Sequence, residues 1–358
     1  MSRFWSPVVQ NLDPYVPGEQ LNKKEIIKLN TNENPYEPSL AAQQVIKKAS
    51  DGRLRLYPGP ESSGIKKAVA RWLNVKPSQI FIGNGSDEVL AHLFKGFFTE
   101  KNSPLLFPDI TYSFYPVYCG LFNISFKKVP LNADFTINVH DYTQNNRGII
   151  LANPNAPTGI LLPLKQVEQI VKNNPDSVVV IDEAYIDFAG GFGKNSAVNL
   201  IDSYENLLVV RTLSKSFALA GLRVGFALGQ EHLIQGLSRV KNCFNSYPLD
   251  RLAQAGAEAA IDDTAYFKEI VTKIVAGRKL LTERLSDLEF KILPSSANFI
   301  FATHKLKKAA LLAAELKERS ILVRHFKDEK IDNYLRITVG TTVQIELLTT
   351  ALKEILEG

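Results

Sequence analysis

Short apolar runs alternate with amphipathic stretches through the first two thirds of the chain. Aliphatic and β-branched residues gather at 79–82, 105–107, 124–129, 148–152, 178–182, 207–211 and 223–228, each run short enough for a strand. Helical spacing of apolar positions separates several of them, at 64–73, 87–98 and 164–173. This alternation predicts an α/β domain built on a mostly parallel sheet. Beyond residue 250 the rhythm changes. Long helical patterns at 251–261, 266–285, 306–319 and 344–356 enclose four strand-like runs, at 290–292, 298–302, 321–324 and 335–339. That is the pattern of a second, smaller α+β domain. The first 38 residues are rich in Pro, Asn and Gly and read as an irregular arm. The expected division is an arm at 1–38, packed on the small domain and a partner subunit, a large domain at 39–249 and a small domain at 250–358. A chain of 358 residues suits about two domains.

Composition narrows the class without changing this outline. Two cysteines, Cys119 and Cys243, have no metal-ligand spacing, and five histidines form no HxH or HExxH pair. No metal site is expected. The net charge of +5 comes from 42 basic and 37 acidic residues spread along the chain, which argues against a nucleic-acid surface. The N-terminal Met-Ser-Arg-Phe-Trp-Ser-Pro lacks the apolar core of a signal peptide, and no run approaches 18 apolar residues. A cytoplasmic location with no membrane contact is the expectation.

Ligands of open α/β sheets bind at the carboxyl ends of the strands, so the segments just past each strand carry the chemistry. Four of them are rich in polar groups: Gly83-Asn-Gly-Ser-Asp-Glu88, Asn153-Pro-Asn-Ala-Pro-Thr-Gly159, Asp182-Glu-Ala-Tyr185 and Arg211-Thr-Leu-Ser-Lys215. The first opens a helix whose N–H groups and dipole attract an anion, or is an ordinary capped turn. Glu88 stands where a dinucleotide fingerprint needs its third glycine, which disfavours NAD. Gly190-Gly-Phe-Gly-Lys194 lacks the first glycine and the final Ser/Thr of a P-loop and reads as a loop. Asp182 ends a Val-Val-Val-Ile strand; it either caps the next segment or pairs with a protonated heterocyclic nitrogen. Lys215 lies in a small, apolar stretch that favours the neutral amine a Schiff-base lysine needs, if it is not a surface lysine. Arg223, the other cation of that stretch, can fork onto a phosphate. Arg336 alternates with apolar neighbours in a strand and needs an anion, either a structural carboxylate or a substrate's.

Taken together, these motifs resemble the fold-type-I enzymes of pyridoxal 5'-phosphate, in the aminotransferase superfamily, and within them the histidinol-phosphate aminotransferase family (class II). The resemblance runs the length of the chain: Leu12-Asp-Pro-Tyr-Val-Pro-Gly18, Leu29-Asn-Thr-Asn-Glu-Asn-Pro35, Arg55-Leu-Tyr-Pro58, Gly85-Ser-Asp-Glu88, Asn153 to Gly159, Asp182 to Tyr185, Thr212 to Lys215, Ala220-Gly-Leu-Arg223 and Leu335-Arg-Ile-Thr-Val-Gly340. It implies that Lys215 holds the cofactor as a Schiff base, that Asp182 pairs with the pyridinium nitrogen and that Tyr185 bonds the ring's 3-oxygen. Tyr112 would stack on the ring. Gly85, Ser86 and Asp87, with Ser214 and Arg223, would cup the phosphate. Tyr57 would reach the cofactor of a partner subunit, making a homodimer with shared sites. Arg336 would take the substrate's α-carboxylate, and Tyr15 and Arg324 its phosphate. The residue before Pro-Thr-Gly, an asparagine in much of the superfamily, is Ala156 here, and Asn155 is nominated in its place.

The implied reaction converts histidinol phosphate and 2-oxoglutarate to imidazole-acetol phosphate and glutamate, in histidine biosynthesis. Its rivals are an aromatic amino-acid aminotransferase, a threonine-phosphate decarboxylase, and a non-catalytic binding protein on the same fold.

Overall fold

The computed structural model describes residues 2–16, 18–19, 26–99 and 103–357; Met1, Pro17, residues 20–25 and 100–102, and Gly358 lie outside it. Parts of the expected arm, including Pro17 of its quoted motif, therefore lie outside the described residues. The strands are β1 (Ile27–Leu29), β2 (Ile80–Asn84), β3 (Leu105–Pro108), β4 (Phe126–Val129), β5 (Gly148–Ala152), β6 (Val178–Asp182), β7 (Leu207–Thr212), β8 (Val224–Gly229), β9 (Phe290–Ile292), β10 (Phe299–His304), β11 (Ile321–His325) and β12 (Leu335–Thr338).

Seven strands form the larger sheet in the order β2-β8-β7-β6-β5-β3-β4. The run β7-β6-β5-β3-β4 is parallel, and β8 is antiparallel to both its neighbours. This is the expected mixed, mostly parallel α/β sheet. Its central strands β5, β6 and β7 are apolar up to their carboxyl ends, where Asp182, Arg211 and Thr212 stand, because both faces are covered. Successive residues divide between two apolar clusters. Ile149, Leu151, Val179, Ile181, Leu207 and Val209 face one; Ile150, Val180, Leu208 and Val210 face the other. The period-2 geometry of a strand thus builds two cores from one sheet.

The helices arise from caps and amphipathic spacing. Asp250 closes the start of the helix Arg251–Asp262 by accepting the N–H groups of Leu252 and Ala253, both at 2.8 Å. Asp263 accepts from Tyr266 N at 3.2 Å and starts the long helix Thr264–Asp287. Among the described residues, three helices longer than a single turn go unmarked in the apolar pattern: Leu40–Ala49, Tyr115–Phe122 and Glu231–Phe244. Tyr115–Phe122 is apolar on nearly all sides and so carries no polar stripe to reveal its period.

The second sheet has the order β1-β11-β12-β10-β9. Here the reading of the first 38 residues as irregular is corrected. Ile27–Leu29 pairs in parallel with Ile321–Val323 and forms the sheet's edge, and Ser6 caps a single helical turn at Pro7–Gln10. A three-residue strand is too short for alternation to declare itself; pairing with β11 makes it a strand. Among the described residues, no helix is long and apolar enough to cross a membrane.

Candidate active site

The carboxyl ends of β5, β6 and β7 point the same way, and the segments that leave them converge on one cavity. Its walls include Ser86, Asp87, Tyr112, Ala156, Asp182, Tyr185, Ser214, Lys215 and Arg223 from the large sheet, and Arg324 and Arg336 from the small one. The arm closes it with Tyr15 and residues 30–33. Eleven of the fourteen residues nominated from the sequence are therefore brought together: Tyr15, Ser86, Asp87, Tyr112, Asp182, Tyr185, Ser214, Lys215, Arg223, Arg324 and Arg336.

At one end the helix Gly85–Phe97 presents its N-terminus. Gly85 has φ +78°, and a Cβ there would lie 2.6 Å from Arg223 Nη2, so only glycine allows the guanidinium this close. Gly225 allows an equally close approach, since its Cβ would meet Ser86 N at 2.3 Å. Arg223 is itself left-handed (φ +52°), and its Nη2 donates to Asp87 Oδ2 at 2.7 Å. Ser214 lies alongside, its Oγ accepting from Thr212 Oγ1 at 2.9 Å. Helix N–H groups, a half-exposed guanidinium and a hydroxyl make a seat for a phosphate dianion. Tyr112 donates to Asp87 Oδ1 at 3.1 Å, and Tyr118 donates to Asp87 O at 2.8 Å, fixing that turn.

Asp182 is buried at the tip of β6. Its Oδ2 accepts the Tyr115 hydroxyl at 2.9 Å, whereas its Oδ1 is buried with no partner. Burial pushes this carboxyl up to about 6, against the Tyr115 bond, which lowers it; Asp87 adds to the rise. A buried carboxylate with one vacant oxygen asks for a cationic N–H.

Lys215 Nζ donates to Thr31 O at 3.2 Å and is paired with no carboxylate among the described residues. Burial, then the Arg336 guanidinium, push the amine down to about 8, while Glu33 and Asp87 oppose this. At pH 7 about a tenth is then the free amine, far more than for an ordinary lysine, and able to condense with a carbonyl and to carry a proton.

The small sheet supplies two cations side by side. Arg324 on β11 is paired in register with Arg336 on β12. Arg336 Nη2 donates to Asn30 O at 2.9 Å, its Nε is buried without a partner, and its guanidinium carbon lies 5.4 Å from the centre of the Phe299 ring. Among the described residues no carboxylate pairs with it, so the structural ion pair left open by the sequence is absent there. Burial lowers its pKa. Two neighbouring cations without a paired carboxylate among the described residues favour a bound anion.

Three nominations stand apart. Gly85 lies behind Arg223. Tyr57 is 80% exposed and stacks on Tyr247 at 4.7 Å, away from its own chain's cavity. Asn155 does not line this cavity. Its Nδ2 donates to Ile110 O (3.0 Å) and Thr158 Oγ1 (3.1 Å), and its Oδ1 accepts from Thr111 Oγ1 (2.9 Å). These bonds consume the amide in holding two loops together, and it is the methyl of Ala156 that faces the cavity.

The sequence reading missed Tyr115 and Asn32. Asn32 lines the cavity, and its Nδ2 donates to the Tyr185 hydroxyl at 3.0 Å. The signal available was the asparagine-rich run Leu29 to Pro35, although its individual members have no periodicity to single them out.

The model of the family described as aminotransferase class I and II matches residues 24–355. The chain belongs to that family. This aminotransferase is 55% identical over 352 residues to the histidinol-phosphate aminotransferase of Pseudomonas entomophila, covering 98% of this chain and 100% of that one. It is 55% identical over 356 residues to the enzyme of that name from Acetobacter pasteurianus, with 99% of each chain covered. Among solved structures, histidinol-phosphate aminotransferase from Sinorhizobium meliloti in complex with pyridoxal-5'-phosphate superposes with a TM-score of 0.89 at 26% identity, covering 100% of this chain and 98% of that one. A Thermus thermophilus aspartate aminotransferase mutant shares the fold, with a TM-score of 0.82 at 18% identity over 99% of this chain and 100% of that one.

Proposed function

We propose that this aminotransferase moves the amino group of histidinol phosphate to 2-oxoglutarate, giving imidazole-acetol phosphate and glutamate, with pyridoxal 5'-phosphate bound at Lys215. The cofactor fits the residues present. The helix N-terminus at Gly85–Asp87, with Ser214 and Arg223, suits its phosphate, and the vacant Oδ1 of Asp182 suits its ring N–H. Tyr112 and Tyr185 line the space between them. Bound there, the cofactor supplies an aldehyde carbon that condenses with amines and a protonated ring that withdraws electrons.

The chain's own residues do the rest. Asp182, ionised against a cationic N–H, keeps the ring nitrogen protonated. Lys215 Nζ, as a free amine, would take the proton from the substrate's α-carbon, and burial favours the neutral amine that this needs. Tyr185 is half-buried, its hydroxyl pKa is raised by desolvation, and so it remains a hydrogen-bond donor. Tyr15 and residues 30–33 form the arm's side of the cavity wall.

The observation that carries the substrate assignment is the adjacent pair Arg324 and Arg336. One half-reaction brings a phosphate monoester and the other a dicarboxylate, and two neighbouring guanidiniums with no carboxylate partner among the described residues suit both anions. An aromatic amino acid brings one carboxylate only. The names of the Pseudomonas and Acetobacter relatives agree with the phosphate ester.

We further propose a homodimer, in the cytoplasm, in which Tyr57 reaches the partner's cofactor phosphate; its 80% exposure next to exposed Leu54 and Leu56 supports a covered surface. The substrate test is a comparison of kcat/KM for histidinol phosphate, phenylalanine and tyrosine. Arg324→Ala should lower the value for histidinol phosphate by about 10-fold or more and leave phenylalanine nearly unchanged, as expected for loss of one charged hydrogen bond. A wild type that prefers phenylalanine would move the enzyme to aromatic substrates.

A further inference from the structure

We propose that Asn32 is the positioning residue that aims the Tyr185 hydroxyl at the 3-oxygen of the cofactor ring, a role that rests on the proposed cofactor site. The starting point is Ala156. It lines the cavity and packs with Ala297, Phe299 and Tyr185, so that corner of the site offers a methyl group and no hydrogen bond. Tyr185 is then the donor left for the 3-oxygen. Phe299 packs edge-on against its ring, with centres 5.0 Å apart, which fixes the plane of the ring. Packing cannot fix the torsion of the O–H bond, because a hydroxyl hydrogen rotates freely.

Asn32 fixes that torsion. Its Nδ2 donates to the Tyr185 hydroxyl oxygen at 3.0 Å. A phenol that accepts from one side must send its single proton elsewhere, and no other described residue bonds this hydroxyl. The remaining direction is the cavity. The orientation of the Asn32 amide is in turn set by Thr338. The Thr338 hydroxyl accepts the Asn32 backbone N–H at 3.0 Å, which commits its own proton to Asn32 Oδ1 at 3.1 Å. With the oxygen so held, the NH2 group faces Tyr185. Asn298 Nδ2 binds the Asn32 carbonyl at 3.0 Å and holds the backbone. Asn32 is 1% exposed and left-handed (φ +56°), a conformation that asparagine tolerates better than most residues. Thr338 lies two residues beyond Arg336 on β12, so the same strand carries the substrate's anion site and the brace behind Tyr185.

The consequence is spectroscopic. An O–H donor at the 3-oxygen stabilises its negative charge and makes the proton shared between that oxygen and Lys215 Nζ easier to lose. Freeing the Tyr185 hydroxyl should therefore raise the pH midpoint at which the visible band of the loaded enzyme titrates.

The test is that titration, on wild type, Asn32→Gly, Tyr185→Phe and the double variant, each loaded with pyridoxal 5'-phosphate. Glycine removes the amide without straining a left-handed backbone. Asn32→Gly should raise the midpoint by about half a unit to one unit, the size of one neutral hydrogen bond. Tyr185→Phe should raise it at least as far, and adding Asn32→Gly to Tyr185→Phe should change nothing further, because Asn32 acts through that hydroxyl. Equal shifts from Asn32→Gly in both backgrounds, or no shift in either, would overturn the role of Asn32 alone. A wild type that shows no visible band would overturn the proposed cofactor site, and this inference with it.

Discussion

The cavity has two kinds of wall, and they were not equally legible. The rim of the large sheet holds Asp182 and Lys215 at the ends of strands whose apolar runs are unmistakable. Opposite them, the arm holds Asn30, Thr31 and Asn32, whose neighbours obey no period. The rim residues owe their places to local rules: a parallel strand is apolar until it ends, and the residues just past that end lie at the ligand edge. The arm residues owe theirs to long-range bonds. Asn32 bonds Thr338, Asn298 and Tyr185, and Asn34 Nδ2 donates to Lys215 O at 2.9 Å. Sequence patterns reveal the first kind of placement because its cause lies within a few residues.

The largest effect should come from the rim. Lys215→Ala removes the amine proposed as both anchor and base, and transamination should fall by about 10³-fold or more. Turnover within tenfold of wild type would remove Lys215 from the centre of the chemistry.

Asp182→Asn should lower kcat by about 10²–10³-fold, as loss of one preorganised electrostatic partner does. The same change separates activity from stability. The folded carboxyl titrates near 6, above its ordinary value of 3.8. Its contribution to stability is present below about 4 and is lost as the pH rises through 6. At pH 8 the cofactor-free protein holds a buried, half-partnered charge, so Asp182→Asn should raise its melting temperature there, with no such gain below pH 4. A fall in melting temperature at pH 8 would show that the vacant oxygen is not the liability described.

The smallest effect on rate should come from Asn155, which lies outside the cavity lining. Asn155 ties Ile110, Thr111 and Thr158 together and does not face the cavity. Asn155→Ala should lower stability by about 1–3 kcal/mol, the range for buried groups left unpaired, and leave kcat within about threefold. A large loss of kcat at unchanged stability would place Asn155 at the ring site. The sequence alone left two readings open, Asn155 serving the ring by a small backbone change or Tyr185 serving it alone. The backbone turns Asn155 toward the Ile110 loop.

Much of the fold was legible in pattern alone. β5, β6 and β9 have the ends that their apolar runs indicate, and β7 extends its run by one residue to Thr212. What escaped was made by tertiary contact: β1, a strand only by pairing with β11, and Tyr115–Phe122, a helix too uniformly apolar to show a stripe. In the site, charged residues were legible because an isolated charge among apolar neighbours demands a partner. Tyr115, whose hydroxyl holds Asp182 Oδ2, gave no such signal, since a buried tyrosine is ordinary core.

One visible absorption measurement tests cofactor and substrate together: the protein reconstituted with pyridoxal 5'-phosphate, recorded before and after histidinol phosphate is added without a keto acid. The expected result is a visible band that is absent from Lys215→Ala in its unreacted form, bleaches on adding histidinol phosphate and returns with 2-oxoglutarate. A protein that forms no band, or a band that histidinol phosphate leaves unchanged while phenylalanine bleaches it, would contradict the cofactor claim in the first case and the substrate claim in the second.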